Sequence, residues 1–368
     1  MPSPDKSSET VVPSEPPGAT PSTLVLEDSS SDFDLMPALA GLRDHKSVLI
    51  FMHDNPDPDA LASAFGLKRL IEHGLGIHAA LALGGIVGRA ENRAMVETLG
   101  IPLLRLESLD ISSFDTLAIV DSQPATGNNS LPAGRTVDIV VDHHPARAES
   151  ASASWCDIRA ELGATSTIIV EYLRTLNVPL DTPLATALFY ALRAETRDLG
   201  REATHSERQA YLFLFPLVDF HLLSLITRPK VPRAHFAALD RALRSAQMWG
   251  SDLVTVNMGE IAYPDLVAEV ADLLLAGEGT RFVLCSGLYA GHVYLSLRTE
   301  PSESRAGTLM RQLIGHDGAA GGHGTMAGAR LYAPPGPPVE QRATFNRLIQ
   351  RFFQLLDRKQ PAPVPLIG

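Results

Sequence analysis

Short apolar runs alternate with amphipathic stretches from about residue 46 onward. Residues 47–52, 117–120 and 138–141 are apolar runs of strand length. Between the first two, 61–73 sets Leu61, Phe65, Leu67, Leu70 and Ile71 at helical spacing, and 91–99 predicts a second helix closed by Gly100 and Pro102. Strand–helix–strand alternation of this kind predicts an α/β fold, a mostly parallel sheet with helices on both faces. Residues 164–176 and 182–195 read as two further helices. A helical connector follows, interrupted by Pro216, Pro229 and Pro232. The alternation then returns with a strand over 253–256, a helix over 264–275, and a hairpin-like pair at 282–284 and 293–297. This second region predicts a smaller α/β domain, ended by Pro-Pro-Gly-Pro-Pro at 334–338. Helical spacing over 340–357 (Phe345, Leu348, Ile349, Phe352, Phe353, Leu356) predicts a last helix packed on the body of the protein.

These patterns divide the 368 residues into a Ser- and Pro-rich N-terminal extension at 1–32, expected to be disordered, and two domains. The first spans 46–205, a helical connector 206–250, the second 251–333, and a Pro-rich segment, helix and tail 334–368. No apolar run approaches the roughly 20 residues needed to span a bilayer, and no basic segment followed by an apolar one opens the chain. Neither a membrane association nor a secretory signal is expected, and a cytoplasmic location is. Cys156 and Cys285 are far apart and form no ligand pair. With 42 acidic and 31 basic residues the net charge is −11, which disfavours a binder of long duplexes but not a small phosphorylated substrate held by cations.

The candidate chemistry lies at the ends of the first three strands. His53-Asp54-Asn55-Pro56-Asp57-Pro58-Asp59 follows the first, Asp121 the second, and Asp142-His143-His144-Pro145 the third. In a parallel sheet these ends share one edge, where ligands gather. Taken singly, Asp57 and Asp59 read as caps of the following helix, and a strand-end histidine as a hydrogen-bonded structural residue. Together, carboxylates and imidazoles suit Mn²⁺, Fe²⁺, Co²⁺ or Zn²⁺. The His53-Asp54 dipeptide alone also matches HD-type phosphohydrolases, but it follows a strand instead of lying in a helical bundle.

The segment 53–63 resembles the first motif of the DHH phosphoesterases. Asp121 in Ile-Val-Asp-Ser is similar to the second, Asp142-His143-His144 to the signature motif, and Asp198 in Glu-Thr-Arg-Asp-Leu-Gly to the fourth. Arg197 and Leu199 depart from the small hydroxyl residues usual beside that aspartate. Ser296-Leu297-Arg298 and the run Gly321-Gly322-His323-Gly324 resemble the DHHA1 substrate-binding domain, so the likeness covers about 46–333. The type most resembled is the stand-alone nanoRNase/pAp phosphatase.

The resemblance implies two divalent ions, Mn²⁺ first among them, and an active site in the cleft between the domains. His53 and Asp57 would bind one ion, Asp59, His143 and Asp198 the other, and Asp121 both. His144 would contact the scissile phosphate, with Arg298, Gly321, Gly322 and His323 holding the nucleotide; His292, His316 and the pair Gly84-Gly85 are read as loop residues. A hydroxide bridging the ions would hydrolyse short oligonucleotides, linear dinucleotides or pAp, without duplex DNA, in a chain that a homodimer would also suit. Rival readings are a cyclic-dinucleotide phosphodiesterase, a RecJ-like single-strand exonuclease, an inorganic polyphosphatase or pyrophosphatase, and a non-catalytic nucleotide sensor.

Overall fold

A computed structural model describes residues 34–132, 134–200, 203–332 and 338–367. The extension expected at 1–32 and most of the Pro-rich segment at 334–338 lie outside them.

After a short helix α1 (Leu35–Gly41), the first sheet is built from β1 (Ser47–Phe51), β2 (His78–Leu83), β3 (Leu103–Arg105), β4 (Thr116–Val120), β5 (Ile139–Asp142) and β6 (Trp155–Ile158). All neighbours are parallel, in the order β3-β2-β1-β4-β5-β6. The central strands are buried almost end to end, as covering both faces of a parallel sheet requires. Helices α2 (Pro58–Leu75), α3 (Ala90–Leu99), α4 (Thr165–Thr175) and α5 (Thr182–Glu195) match the four predicted helices to within a few residues, and α2 packs on α4 and α5. Among the described residues, long helices pack on one face of this sheet, and short 3-10 turns and loops cover the other. Leu49, Phe51, Leu117 and Ile119 pack instead against Leu106, Leu109, Ile111, Phe114 and Leu131 from turns and loops. Short apolar turns suffice there because each strand needs only a few covering side chains.

The strand order reverses direction between β1 and β4. In doubly wound sheets a crevice opens at that switch point, outside the carboxyl ends of the strands. His53 and Asp121 follow the two strands that flank it.

The connector comprises α6 (His205–Leu214), α7 (Phe220–Thr227) and α8 (Arg233–Ser245). Among the described residues no single helix is long and apolar enough to cross a membrane. The second sheet contains β7 (Gln247–Trp249), β8 (Leu253–Glu260), β9 (Phe282–Tyr289), β10 (His292–Thr299), β11 (Gly318–His323), β12 (Met326–Tyr332) and β13 (Pro363–Pro365), in the order β11-β12-β10-β9-β8-β7-β13. It is antiparallel except between β8 and β9. One face packs on α10 (Ala306–Ile314) and α11 (Pro338–Leu355), with Phe345, Leu348, Ile349, Phe352 and Phe353 buried as their spacing predicts. The other face meets α8 and α9 (Leu266–Leu275).

One expectation changes here. His292 does not lie in a loop but opens β10. The glycine run expected to hold the nucleotide is an edge strand hydrogen-bonded to β12. Its glycines serve close packing: a Cβ on Gly307 of α10 would run into the Gly322 carbonyl, and one on Gly322 into the backbone of β12.

Candidate metal centre

β1, β4 and β5 lie side by side and end at one edge, so the residues that follow them converge. Asp121 leaves β4 at a φ of 52°, a conformation uncommon for a residue with a side chain, and its N–H bonds the Val141 carbonyl at 3.0 Å. The turn sets its carboxylate between three histidines. Oδ2 lies 3.8 Å from His53 Nε2, while Oδ1 lies 3.6 Å from His143 Nε2 and 3.8 Å from His144 Nδ1. His53 Nε2 is also 3.7 Å from Asp57 Oδ2. Two ligand-like groups result, His53–Asp57–Asp121 and Asp121–His143–His144, which share Asp121.

Surrounding bonds orient these groups. His143 Nδ1 donates to the Leu162 carbonyl at 3.1 Å, which leaves the Nε2 lone pair facing Asp121. Asp57 Oδ1 caps α2 by accepting from the N–H groups of Asp59 and Ala60, both at 3.0 Å, while its Oδ2 faces His53. Asp59 is buried, and its two oxygens accept from Thr165 and Ser166 N–H at the start of α4. Asp57 thus caps α2 as expected while turning an oxygen to His53, whereas Asp59 lies inside α2, receives the start of α4 instead of capping its own helix, and joins neither ligand-like group among the described residues. Asp142, to which sequence reasoning gave no role, bonds His144 Nδ1 at 2.8 Å and accepts from Gln123 Nε2 at 2.6 Å. Its adjacency to the histidine pair was the one available signal.

Charge balance explains what the cluster needs. Burial raises the pKa of Asp121 well above the usual carboxylate range, and the charges of Asp59, Asp57, Asp142 and Glu195 raise it further. Burial opposes a charge on His144, yet its bond to Asp142 and the surrounding carboxylates hold its pKa at about 9. Burial would lift Asp57, but His53 keeps it well below its ordinary value. Several carboxylates forced together out of water call for a cation, and mixed oxygen and nitrogen donors fit a Mn²⁺-type ion.

Asp198 is not brought into this cluster. α5 ends at Glu195, and Arg197, Asp198 and Leu199 all take positive φ, turning the chain outward. The Asp198 side chain is 65% exposed and pairs with Arg193 Nε at 2.5 Å. Glu195, still on the helix, is among the carboxylates whose charge bears on Asp121 and His144. The Glu-Thr that begins the same motif was the available clue.

The expected substrate residues divide. Arg298 is buried, with Nε on Asp272 at 2.5 Å and Nη1 on Ser296 Oγ at 3.0 Å, so its fork does not stand open. Asp272 also bonds Arg89, just before α3, at 3.2 Å, which ties the second sheet to the first domain. Asp265 lies between the two regions, influenced by Arg89, His53, Asp57 and Arg298. Gly321 and Gly322 lie in β11, and the His323 side chain lies outside the described positions.

Residues 47–192 match the family model described as the DHH family, N-terminal domain. An uncharacterized protein of Methanocaldococcus jannaschii is 31% identical over 304 residues, 82% of this chain and 62% of that protein. A Staphylococcus aureus protein described as a probable manganese-dependent inorganic pyrophosphatase is 25% identical over 148 residues, 40% of this chain and 47% of its own length. The chain thus matches from about half to under two thirds of the length of these relatives. Among solved structures, an exopolyphosphatase-related protein from Bacteroides fragilis superposes with a TM-score of 0.66 at 12% identity, covering 87% of this chain and 98% of that one, a likeness of fold. Residues 47–192, which hold His53, Asp57, Asp59, Asp121, His143 and His144, are thus the part of the chain that is similar to the DHH family, N-terminal domain.

Proposed function

We propose that the chain is a metal-dependent phosphoesterase that hydrolyses short nucleotides: linear dinucleotides, very short RNA or pAp. The observation that carries this reading is Asp121, which offers one oxygen toward His53 and the other toward His143 and His144. That arrangement fits two divalent ions of the Mn²⁺ type, which when bound supply Lewis acidity toward phosphoryl oxygens and an activated water. His53, Asp57, Asp59, Asp121 and His143 would hold them, with Glu195 in the place first given to Asp198.

The chain's own residues do the rest. Asp142 engages His144 Nδ1 and so orients the ring, whose Nε2 would donate to a phosphoryl oxygen and offset charge developing there. The side chain is 39% exposed and so reachable by a substrate. The bond from Asp142, itself fixed by Gln123, keeps that ring from rotating away.

The likeness to a probable pyrophosphatase over 148 residues supports a second reading, hydrolysis of inorganic pyrophosphate. Turnover of pApA, pGpG, pAp, cyclic-di-AMP and pyrophosphate in Mn²⁺ separates the two. The wild-type chain is expected to favour the linear dinucleotides; preference for pyrophosphate would reverse the assignment. Asp121→Asn should lose more than about a hundredfold in kcat/KM and should bind less metal, because even partners one step removed from a metal cost 10–100-fold. Near-normal turnover by a folded Asp121→Asn protein would remove the metal centre from the chemistry.

A further inference from the structure

The second sheet carries a strip of side chains that, Arg298 apart, neither the metal centre nor the expected phosphate contacts use. Side chains alternate across a strand, so His292, Tyr294, Ser296 and Arg298 of β10 share one face. Opposite them on β12 stand Tyr332, Arg330, Gly328 and Met326. α9 covers this face over β9 and β10, and Tyr294 packs on that core. Over β12 no described element covers the face: Gly328 and Arg330 are exposed, and Tyr332 is exposed to 83%.

The strip has an ordered chemistry. The Tyr332 and His292 rings lie 4.7 Å apart, tilted by 43°, and His292 and Tyr294 lie 6.5 Å apart. His292 Nδ1 donates to the Ala290 carbonyl at 3.1 Å, which steadies its ring and leaves Nε2 as the remaining polar atom. Arg330 follows on the same face, two residues or about 6.6 Å along the strand from Tyr332. Its Nη2 donates to the Gly127 carbonyl at 3.4 Å, in the loop that leaves Asp121, and its charge bears on Asp54 beside His53. A cation next to the metal centre and an open ring pair one step beyond it match the order of phosphate and base in a nucleotide. An inorganic phosphate polymer has no π-face for such rings to meet.

We propose that Tyr332 and His292 form a base-stacking platform, with Arg330 contacting the phosphate or sugar of the same nucleotide. This rests on the nucleotide reading above and deepens it: the platform selects for a nucleobase on the unit that extends from the metal centre toward the second sheet.

The test is equilibrium binding of a phosphorothioate-linked pApA to the Mn²⁺-loaded full chain, beside steady-state turnover of pApA. Base–aromatic stacking is worth enough that Tyr332→Ala should weaken binding about tenfold. The loss should fall on KM more than on kcat, and Tyr332→Trp should restore it. Bound Mn²⁺ should be the same in all three proteins. Equal binding by wild type and Tyr332→Ala overturns the platform, even where pApA is a good substrate. So does wild-type affinity for the analogue no higher than for inorganic phosphate. Failure of the wild type to hydrolyse pApA, in contrast, removes the nucleotide hydrolase reading while the binding comparison still decides the platform.

Discussion

Asp121 shows how one residue can be committed to two neighbours. Its left-handed backbone turns the carboxylate so that its oxygens face different histidines, which neither an extended strand end nor a helix cap would do. That His53, Asp57, Asp121 and His143 would meet was legible in the sequence, because each follows a strand or caps a helix at one sheet edge; Asp59, proposed as a ligand, joins neither ligand-like group among the described residues. The choice between Glu195 and Asp198 was not legible, since three residues of left-handed turn decide which one stays near the strand ends. Alanine substitution separates them. Asp198→Ala should keep kcat/KM within about threefold, as loss of an exposed ion pair does little. Glu195→Ala should lose roughly 10–100-fold in metal affinity or activity. Inductively coupled plasma metal counts and turnover on the same preparations check both, and the reverse ranking would return Asp198 to the site.

At the scale of elements, the approach of α9 to Arg89 at the start of α3 carries a pH dependence. Glu269 on α9 accepts from Tyr263 Oη at 3.0 Å and faces His235 of α8, Arg89 and Glu91 at the start of α3, and Asp265 and Tyr263 before α9. Burial raises its pKa to about 7, with Arg89 and Tyr263 opposing and Glu91 and Asp265 adding to the rise. The folded state therefore holds this proton more tightly than the unfolded chain. The stabilisation is fully present below about pH 4.5, where both states are protonated, and is lost as pH rises through about 7. Glu269→Gln cannot ionise, so it should match the wild type in stability near pH 5 and exceed it by roughly 2–3 kcal/mol at pH 8. Urea denaturation at the two pH values measures this; a constant difference would show that the side chain does not titrate in that window.

For the whole molecule, the net charge of −11 sets a limit on substrate length. Nucleotides beyond the few that can meet Arg330, His144 and bound cations would face a repulsive field and gain few counterion-release contacts. Activity should therefore peak on oligonucleotides of about two to five residues and fall steeply by about 20. Measured kcat/KM on 2-, 5- and 24-residue RNAs at one salt concentration, chosen to bracket about that range, tests it. Equal degradation of the longest strand would bring the exonuclease reading forward.

Alternating apolar runs and the acidic and histidine residues at their ends were enough to determine a parallel sheet with a ligand-rich edge. Those features are local, because strand length, caps and the residue following a strand are written in consecutive positions. Tertiary structure alone decided that Arg298 is held by Asp272, that the glycine run is an edge strand pressed on α10, and that His292 meets Tyr332 across two strands. These are pairings between residues far apart in the chain, fixed by strand register and interdomain packing, for which no spacing in the sequence stands.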